Sequence, residues 1–160
     1  IPIIALPRPQ SFKKTLHFIA SAGIPKAYFI GAEKVEKSYW KSSALEPSAI
    51  EEELMLGLEQ GMDTIMPQLE FRTSFREFIR STEPVELSTG ANCLIAHPGT
   101  DSAECPRALS GKIVLAIGPE GGFTEKEAST FRDAGFNQVT FGKHILRVEF
   151  ALAFICGRIS

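Results

Sequence analysis

Two short runs carry residue types and spacings suited to chemistry on a ligand. In the first, Ile117-Gly118-Pro119-Glu120-Gly121-Gly122-Phe123, the glycines let backbone N–H groups approach a ligand with no side chain in the way. The second, Phe141-Gly142-Lys143-His144-Ile145-Leu146-Arg147-Val148-Glu149, ends on a guanidinium and a carboxylate. Arg147 brings a guanidinium, a group able to stabilise negative charge. The same residue also suits a plain surface cation capping strand ends. Glu149 suits two tasks, holding Arg147 in place or facing a ligand. A third stretch, His97-Pro98-Gly99, follows the apolar run Asn92-Cys93-Leu94-Ile95-Ala96. A lone histidine there is more often structural than catalytic; beside the other two loops, contact with a ligand is as good a reading.

Neither loop carries a familiar nucleotide signature. Gly118-Pro119-Glu120-Gly121 breaks the G-x-G-x-x-G spacing of a dinucleotide site. The Gly-Lys pairs at 111–112 and 142–143 run into Ile113 and His144, where a phosphate loop needs Ser or Thr. Glu120 would repel a polyphosphate, so the first loop favours a ligand that is neutral or cationic nearby.

The elements that position these loops are legible as strands and helices. Lys112-Ile113-Val114-Leu115-Ala116-Ile117 is an apolar run of the kind that fills a buried parallel strand. Thr124-Glu125-Lys126-Glu127 has the form of a capping box opening a helix over Ala128, Phe131 and Ala134, with Gly135 placed to stop it. Strand, glycine loop and helix form one unit, in the place where open α/β sheets commonly bind ligands; a tight strand-to-helix turn fits the same residues. Gln138-Val139-Thr140-Phe141 is the strand before the second loop, and residues 148–159 read as a terminal helix. Both loops should therefore open on one edge of one sheet.

Upstream, residues 1–6 read as a strand, 11–22 as a helix with Phe12, Leu16, Ile19 and Ala20 on one face, and 27–30 as a second strand, a parallel crossover unit. Residues 31–46 are polar, with Lys34, Lys37, Trp40 and Lys41 among Glu33, Glu36, Tyr39 and Glu46. Basic and aromatic residues interleaved in this way could contact single-stranded nucleic acid, although a solvated loop with Trp40 packed down fits them too. Pro47 and Ser48 open a helix through Leu54, Leu58 and Met62, and residues 64–71 read as a strand interrupted by Pro67, at an edge or starting after the proline. Phe75, Phe78 and Ile79 give a short helix, and residues 100–109 a polar mobile connection.

The whole chain has 160 residues, 44% apolar and 22% charged, with a net charge of -2, the profile of one ordinary globular domain. That balance argues against a strongly basic nucleic-acid binder, leaving local patches as the route to RNA. Cys93, Cys105 and Cys156 are odd in number with no C-x-x-C spacing, so neither a disulfide framework nor a metal site is expected, and a reducing cytoplasm fits. No apolar run is long enough for a membrane span, so no membrane partner is expected.

Taken together, the runs at 117–127 and 141–153 resemble the C-terminal domain of the ribosomal RNA uracil-N3 methyltransferases of the RsmE type, members of the SPOUT superfamily. The resemblance implies an α/β fold, a mostly parallel sheet of about five or six strands with helices on both faces and a C-terminal trefoil knot. It implies S-adenosylmethionine as cofactor, held by His97, Pro98, Ile117, Gly118, Glu120, Gly121, Gly122, Phe141, Gly142, Ile145 and Leu146, with Arg147 and Glu149 as catalytic residues. It also implies 16S ribosomal RNA or the small ribosomal subunit as substrate, methylated at a uridine N3, and a homodimer formed through the terminal helix. The family's small N-terminal β domain, which helps bind RNA, is expected to be absent, because the first residues already read as the opening strand of the catalytic domain. The family's Ile-Leu-Arg-Thr-Glu-Thr-Ala reads Ile145-Leu146-Arg147-Val148-Glu149-Phe150-Ala151 here. Losing two hydroxyls leaves room for a different class of protein, a catalytically silent cofactor- or RNA-binding paralogue.

Overall fold

The computed structural model describes residues 1–81, 83–99, 102–142 and 144–160. Lys143 of the second loop, and Thr100 and Asp101 at the start of the expected polar connection, lie outside the described residues, as does Thr82. Seven strands of the described residues form one sheet: β1 (Pro2–Ala5), β2 (Lys26–Ile30), β3 (Gln68–Arg72), β4 (Ala91–Ala96), β5 (Ala103–Glu104), β6 (Lys112–Ile117) and β7 (Asn137–Thr140). Among the described residues, six α-helices accompany them: α1 (Pro9–Ser21), α2 (Pro47–Gly61), α3 (Phe75–Arg80), α4 (Glu83–Ser88), α5 (Glu125–Asp133) and α6 (Val148–Ile159).

The strand order is β3-β2-β1-β6-β4-β7-β5, and every pairing is parallel. Continuous apolar runs are what a central parallel strand requires, because helices cover both its faces. Accordingly, β1 is buried along its whole length and β6 from Val114 onward. The two faces are visible in β2, whose successive side chains point oppositely. Phe29 meets Phe12 of α1 edge-on at 4.8 Å, while Tyr28 lies 5.9 Å from Phe78 of α3. Helix α1 packs against both α2 and α6. On α5, Phe131 gathers Phe75, Phe123 and Phe136 into one aromatic cluster.

The expected elements are found, with local corrections. Helix α1 starts two residues earlier than its apolar face suggests, because Pro9 suits the first helical position. The strand interrupted by Pro67 starts after it and is also the sheet edge, where a missing N–H costs no ladder bond. Met62 does not continue the buried face of α2: it is the left-handed C-cap and 93% exposed. The sheet has seven strands rather than five or six, because two residues of the polar connection, Ala103 and Glu104, pair with β7. Helix α4 was not anticipated, since six residues are too few for helical periodicity to register.

The chain between β5 and β6 crosses the far end of α6. There the Ala108 and Leu109 amides donate to the Arg158 and Ile159 carbonyls, and Arg158 Nε donates to the Cys105 carbonyl at 2.7 Å. This crossing is consistent with the knot that the resemblance implies.

Candidate functional site

The sheet register fixes where the three loops emerge. Ala96 is the register partner of Ile117 on one side and of Val139 on the other, so β4, β6 and β7 end almost level. His97, Gly118 and Phe141 therefore leave one edge of the sheet together, as the sequence predicts. Between the loops lies a cavity of ≈ 320 Å³, within the size range of small-molecule sites. Its wall includes His97, Pro98, Ile117, Gly118, Glu120, Gly121, Gly122, Phe141, Gly142, Ile145 and Leu146, each a residue singled out from the sequence.

The first loop is set by its helix. Thr124 Oγ1 accepts from the Glu127 amide while the Glu127 carboxylate accepts from the Thr124 amide, so both arms of the capping box form. Gly118 allows the chain to double back: a Cβ there would sit 2.7 Å from the Phe123 nitrogen. Gly122 holds φ +70°, a left-handed conformation open to glycine at no steric cost.

The N-terminal half of the chain clamps this loop from outside. The Arg8 amide donates to Glu120 Oε1 at 3.0 Å, Lys34 Nζ donates to the Gly121 carbonyl at 2.8 Å, and the Glu33 amide donates to Glu127 Oε1 at 2.8 Å. Lys34 thereby joins the cavity wall, whereas sequence reading placed it among the basic residues of a polar stretch able to contact single-stranded nucleic acid. No local signal could have moved it to the site, because its partner is 87 residues away. His144, Val148 and Ala151 are further wall residues that the sequence did not single out. Trp40 is half-buried against the core, in agreement with its packed reading.

His97 is 15% exposed at its side chain, with Nε2 3.7 Å from Glu125 Oε2. Its buried Nδ1 meets no hydrogen-bond partner among the described residues. The Arg132 guanidinium beside Glu125, and His97 more weakly, hold that carboxyl below the usual range. Glu125 thus stays an anion beside the imidazole.

Arg147 and Glu149 stand apart from the wall. Arg147 is exposed and is the N-cap of α6, with Leu146 and Val148 on either side both lining the cavity. Glu149 is 5% exposed, and neither carboxylate oxygen meets a hydrogen-bond donor among the described residues; Lys14 Nζ of α1 is 4.0 Å away. The structure pairs Glu149 with α1 rather than with Arg147.

Apolar walls from Ile117, Val139, Phe141, Ile145 and Leu146 suit a flat ring, backbone groups of the glycine loop suit its polar edge, and the Glu120 carboxylate at the rim suits a cation. A parallel α/β sheet with such a cleft at its carboxyl edge defines the class, the SPOUT methyltransferase fold. The family model for the RNA methyltransferase domain matches residues 2–160, and the chain belongs to that family.

Among relatives, the chain is 31% identical over 156 residues to ribosomal RNA small subunit methyltransferase E of Treponema pallidum, covering 96% of this chain and 59% of that protein. It is 26% identical over 149 residues to ribosomal RNA small subunit methyltransferase E 1 of Borreliella burgdorferi, covering 93% and 61%. In structure it resembles the ribosomal RNA small subunit methyltransferase E of Neisseria gonorrhoeae, solved bound to S-adenosyl methionine, with a TM-score of 0.76 at 26% identity over 97% of this chain and 62% of that one. The chain thus spans about three fifths of the length of these relatives.

Proposed function

We propose that this domain binds S-adenosylmethionine in the three-loop cavity and transfers its methyl group to N3 of a uridine in 16S ribosomal RNA, in the cytoplasm. The observation that carries this reading is the wall itself: loops from three separate strands close one cavity of ≈ 320 Å³ with apolar faces and a glycine-lined edge. The relatives' names point to the same substrate class.

S-adenosylmethionine supplies an electrophilic methyl carbon on a sulfonium. The protein's share is binding, orientation and charge. Ile117, Phe141, Ile145 and Leu146 would hold the adenine between apolar side chains, backbone groups of the two loops would serve its polar edge, and Glu120 would offer a negative charge to the cationic sulfonium. Arg147, exposed between two wall residues, stabilises from the solvent side the anion left on the uracil as N3 loses its proton.

A second reading, a silent cofactor- or RNA-binding paralogue, is favoured by Val148. This side chain lines the cavity where the family motif carries a threonine hydroxyl. Calorimetry with S-adenosylmethionine, followed by methyl transfer to small ribosomal subunits with nucleoside mass spectrometry, separates the two. N3-methyluridine is the outcome expected of the enzyme; cofactor binding without any transfer would establish the silent paralogue, and no binding at all would remove the cavity as the cofactor site.

A further inference from the structure

Among the described residues, Lys34 is the only lysine or arginine on the cavity wall. We propose that Lys34 is a second catalytic cation, which meets a carbonyl oxygen of the acceptor base and stabilises the negative charge that spreads from N3 as its proton leaves. The inference rests on the methyl-transfer reading of the same cavity.

Three features set Lys34 apart from an ordinary surface lysine. Its ammonium has three N–H donors and spends one on the Gly121 carbonyl, 2.8 Å away, leaving two for a ligand. The backbone on both sides is fixed: the Glu33 amide is held by Glu127 Oε1 at 2.8 Å, and Val35 is buried with its amide on the Ala32 carbonyl at 3.0 Å. The Lys34 side chain is exposed, and its bond to the Gly121 carbonyl holds the ammonium at the cavity wall, where a positioned cation can stabilise developing charge. Third, it joins the loop of the cavity to the segment 31–46, which also carries the exposed Lys37 and Lys41 and the half-buried Trp40, residue types that can contact a single strand.

The step balances without a further reagent. N3 of the uracil gives its proton to a water or hydroxide, and its electron pair forms the bond to the methyl carbon. The electron pair of the breaking carbon–sulfur bond stays on sulfur, which becomes a neutral thioether. In the intervening state the charge lies partly on the two carbonyl oxygens flanking N3, and an ammonium fixed beside one of them favours that state over the neutral base.

Lys34 also has a structural bond, so the test must separate charge from loop support. In Lys34→Gln the amide keeps a donor but loses the charge, whereas Lys34→Arg keeps the charge. Turnover on small ribosomal subunits, its pH profile and the S-adenosylmethionine dissociation constant are measured for both variants and the wild type. Expected for Lys34→Gln is a fall in turnover of about 10²-fold, with the rising limb of the pH profile moved up by about 1 to 2 units. Cofactor affinity should stay within roughly threefold of wild type, and Lys34→Arg should recover most of the loss. An active wild type with an equally active Lys34→Gln overturns the inference alone. So does a loss of turnover that follows loss of cofactor affinity and leaves the pH profile in place, which is the signature of loop support or of a bond to the cofactor. A wild type that transfers no methyl overturns the methyl-transfer reading and this inference with it.

Discussion

Glu127 Oε1 accepts a hydrogen bond from the Glu33 amide at 2.8 Å, across 94 residues of sequence, while Glu127 Oε2 accepts from the Thr124 amide and hydroxyl. One buried carboxylate thus starts the helix after the glycine loop and pins the strand exit that carries Lys34. Glu127→Ala leaves three donors without their acceptor; a bond to a charged group contributes about 1.5 to 3 kcal/mol net, and less in sum where water reaches the freed donors. The expected loss of stability is roughly 2 to 3 kcal/mol by chemical denaturation. Hydrogen exchange should quicken at the Glu33 amide; unchanged protection there would show that the bond does not form in solution.

The glycines of the first loop differ in what they tolerate. A Cβ at Gly118 would lie 2.7 Å from the Phe123 backbone nitrogen, whereas one at Gly121 would meet only the flexible Lys34 side chain, at 3.0 Å. Gly118→Ala therefore forces the loop itself to move, at a strain of roughly 1 to 3 kcal/mol. It should weaken S-adenosylmethionine binding at least tenfold in calorimetry, and Gly121→Ala far less. Equal affinities in the two variants would mean that the loop backbone does not touch the cofactor.

Local pattern and distant contact divide what was legible in the sequence. The strand and capping-box signals around 112–135 and the terminal helix were readable because each is written in residues at most a few turns apart. The cradle followed from them, since strands that end level bring their loops together. Lys34 was not readable, because its place on the wall depends on the β2 strand exit meeting a loop 87 residues later. Strand β5 escaped for a related reason: two exposed residues have no alternation to detect, and only β7 beside them makes them a strand. The position of Glu149 was also hidden, because one residue's shift around α6 decides between the cavity and α1.

Arg147 projects from the α6 N-cap beside the cavity without lining it. If it acts on the developing anion, Arg147→Ala should lower turnover by about 2 to 4 kcal/mol in activation free energy and leave cofactor affinity unchanged. Single-turnover kinetics with saturating cofactor measure this directly. A variant with full turnover would assign Arg147 to the surface.

Glu149 is buried with neither oxygen on a donor among the described residues, and Lys14 approaches only to 4.0 Å. An apolar replacement of similar volume removes a charge whose desolvation is not offset, so Glu149→Met should hold or raise stability, by about 1 to 2 kcal/mol. Because Glu149 lies off the cavity wall, calorimetry should find unchanged S-adenosylmethionine affinity. A large loss of either stability or affinity would mean that the carboxylate has a partner in the working assembly.

The outer face of α6 carries the last expectation. Val148, Ala151, Leu152, Ile155 and Ile159 are buried, yet Phe150 and Phe154 on the same helix are 55% and 47% exposed. Phe154 lies edge-on to the cavity residue Phe141, with ring centroids 6.3 Å apart, so a partner covering this face would also rest on the second loop. Two large aromatic rings on one short helix are more apolar surface than a folded chain gains by leaving in water, each worth roughly 1.5 to 3 kcal/mol when fully covered. Sedimentation at micromolar concentration should show a homodimer, and Phe150→Asp with Phe154→Asp should give a monomer with unchanged circular dichroism. The charged pair should also weaken cofactor binding if the partner supports Phe141. A wild-type monomer under these conditions would show that α6 is not the dimer face.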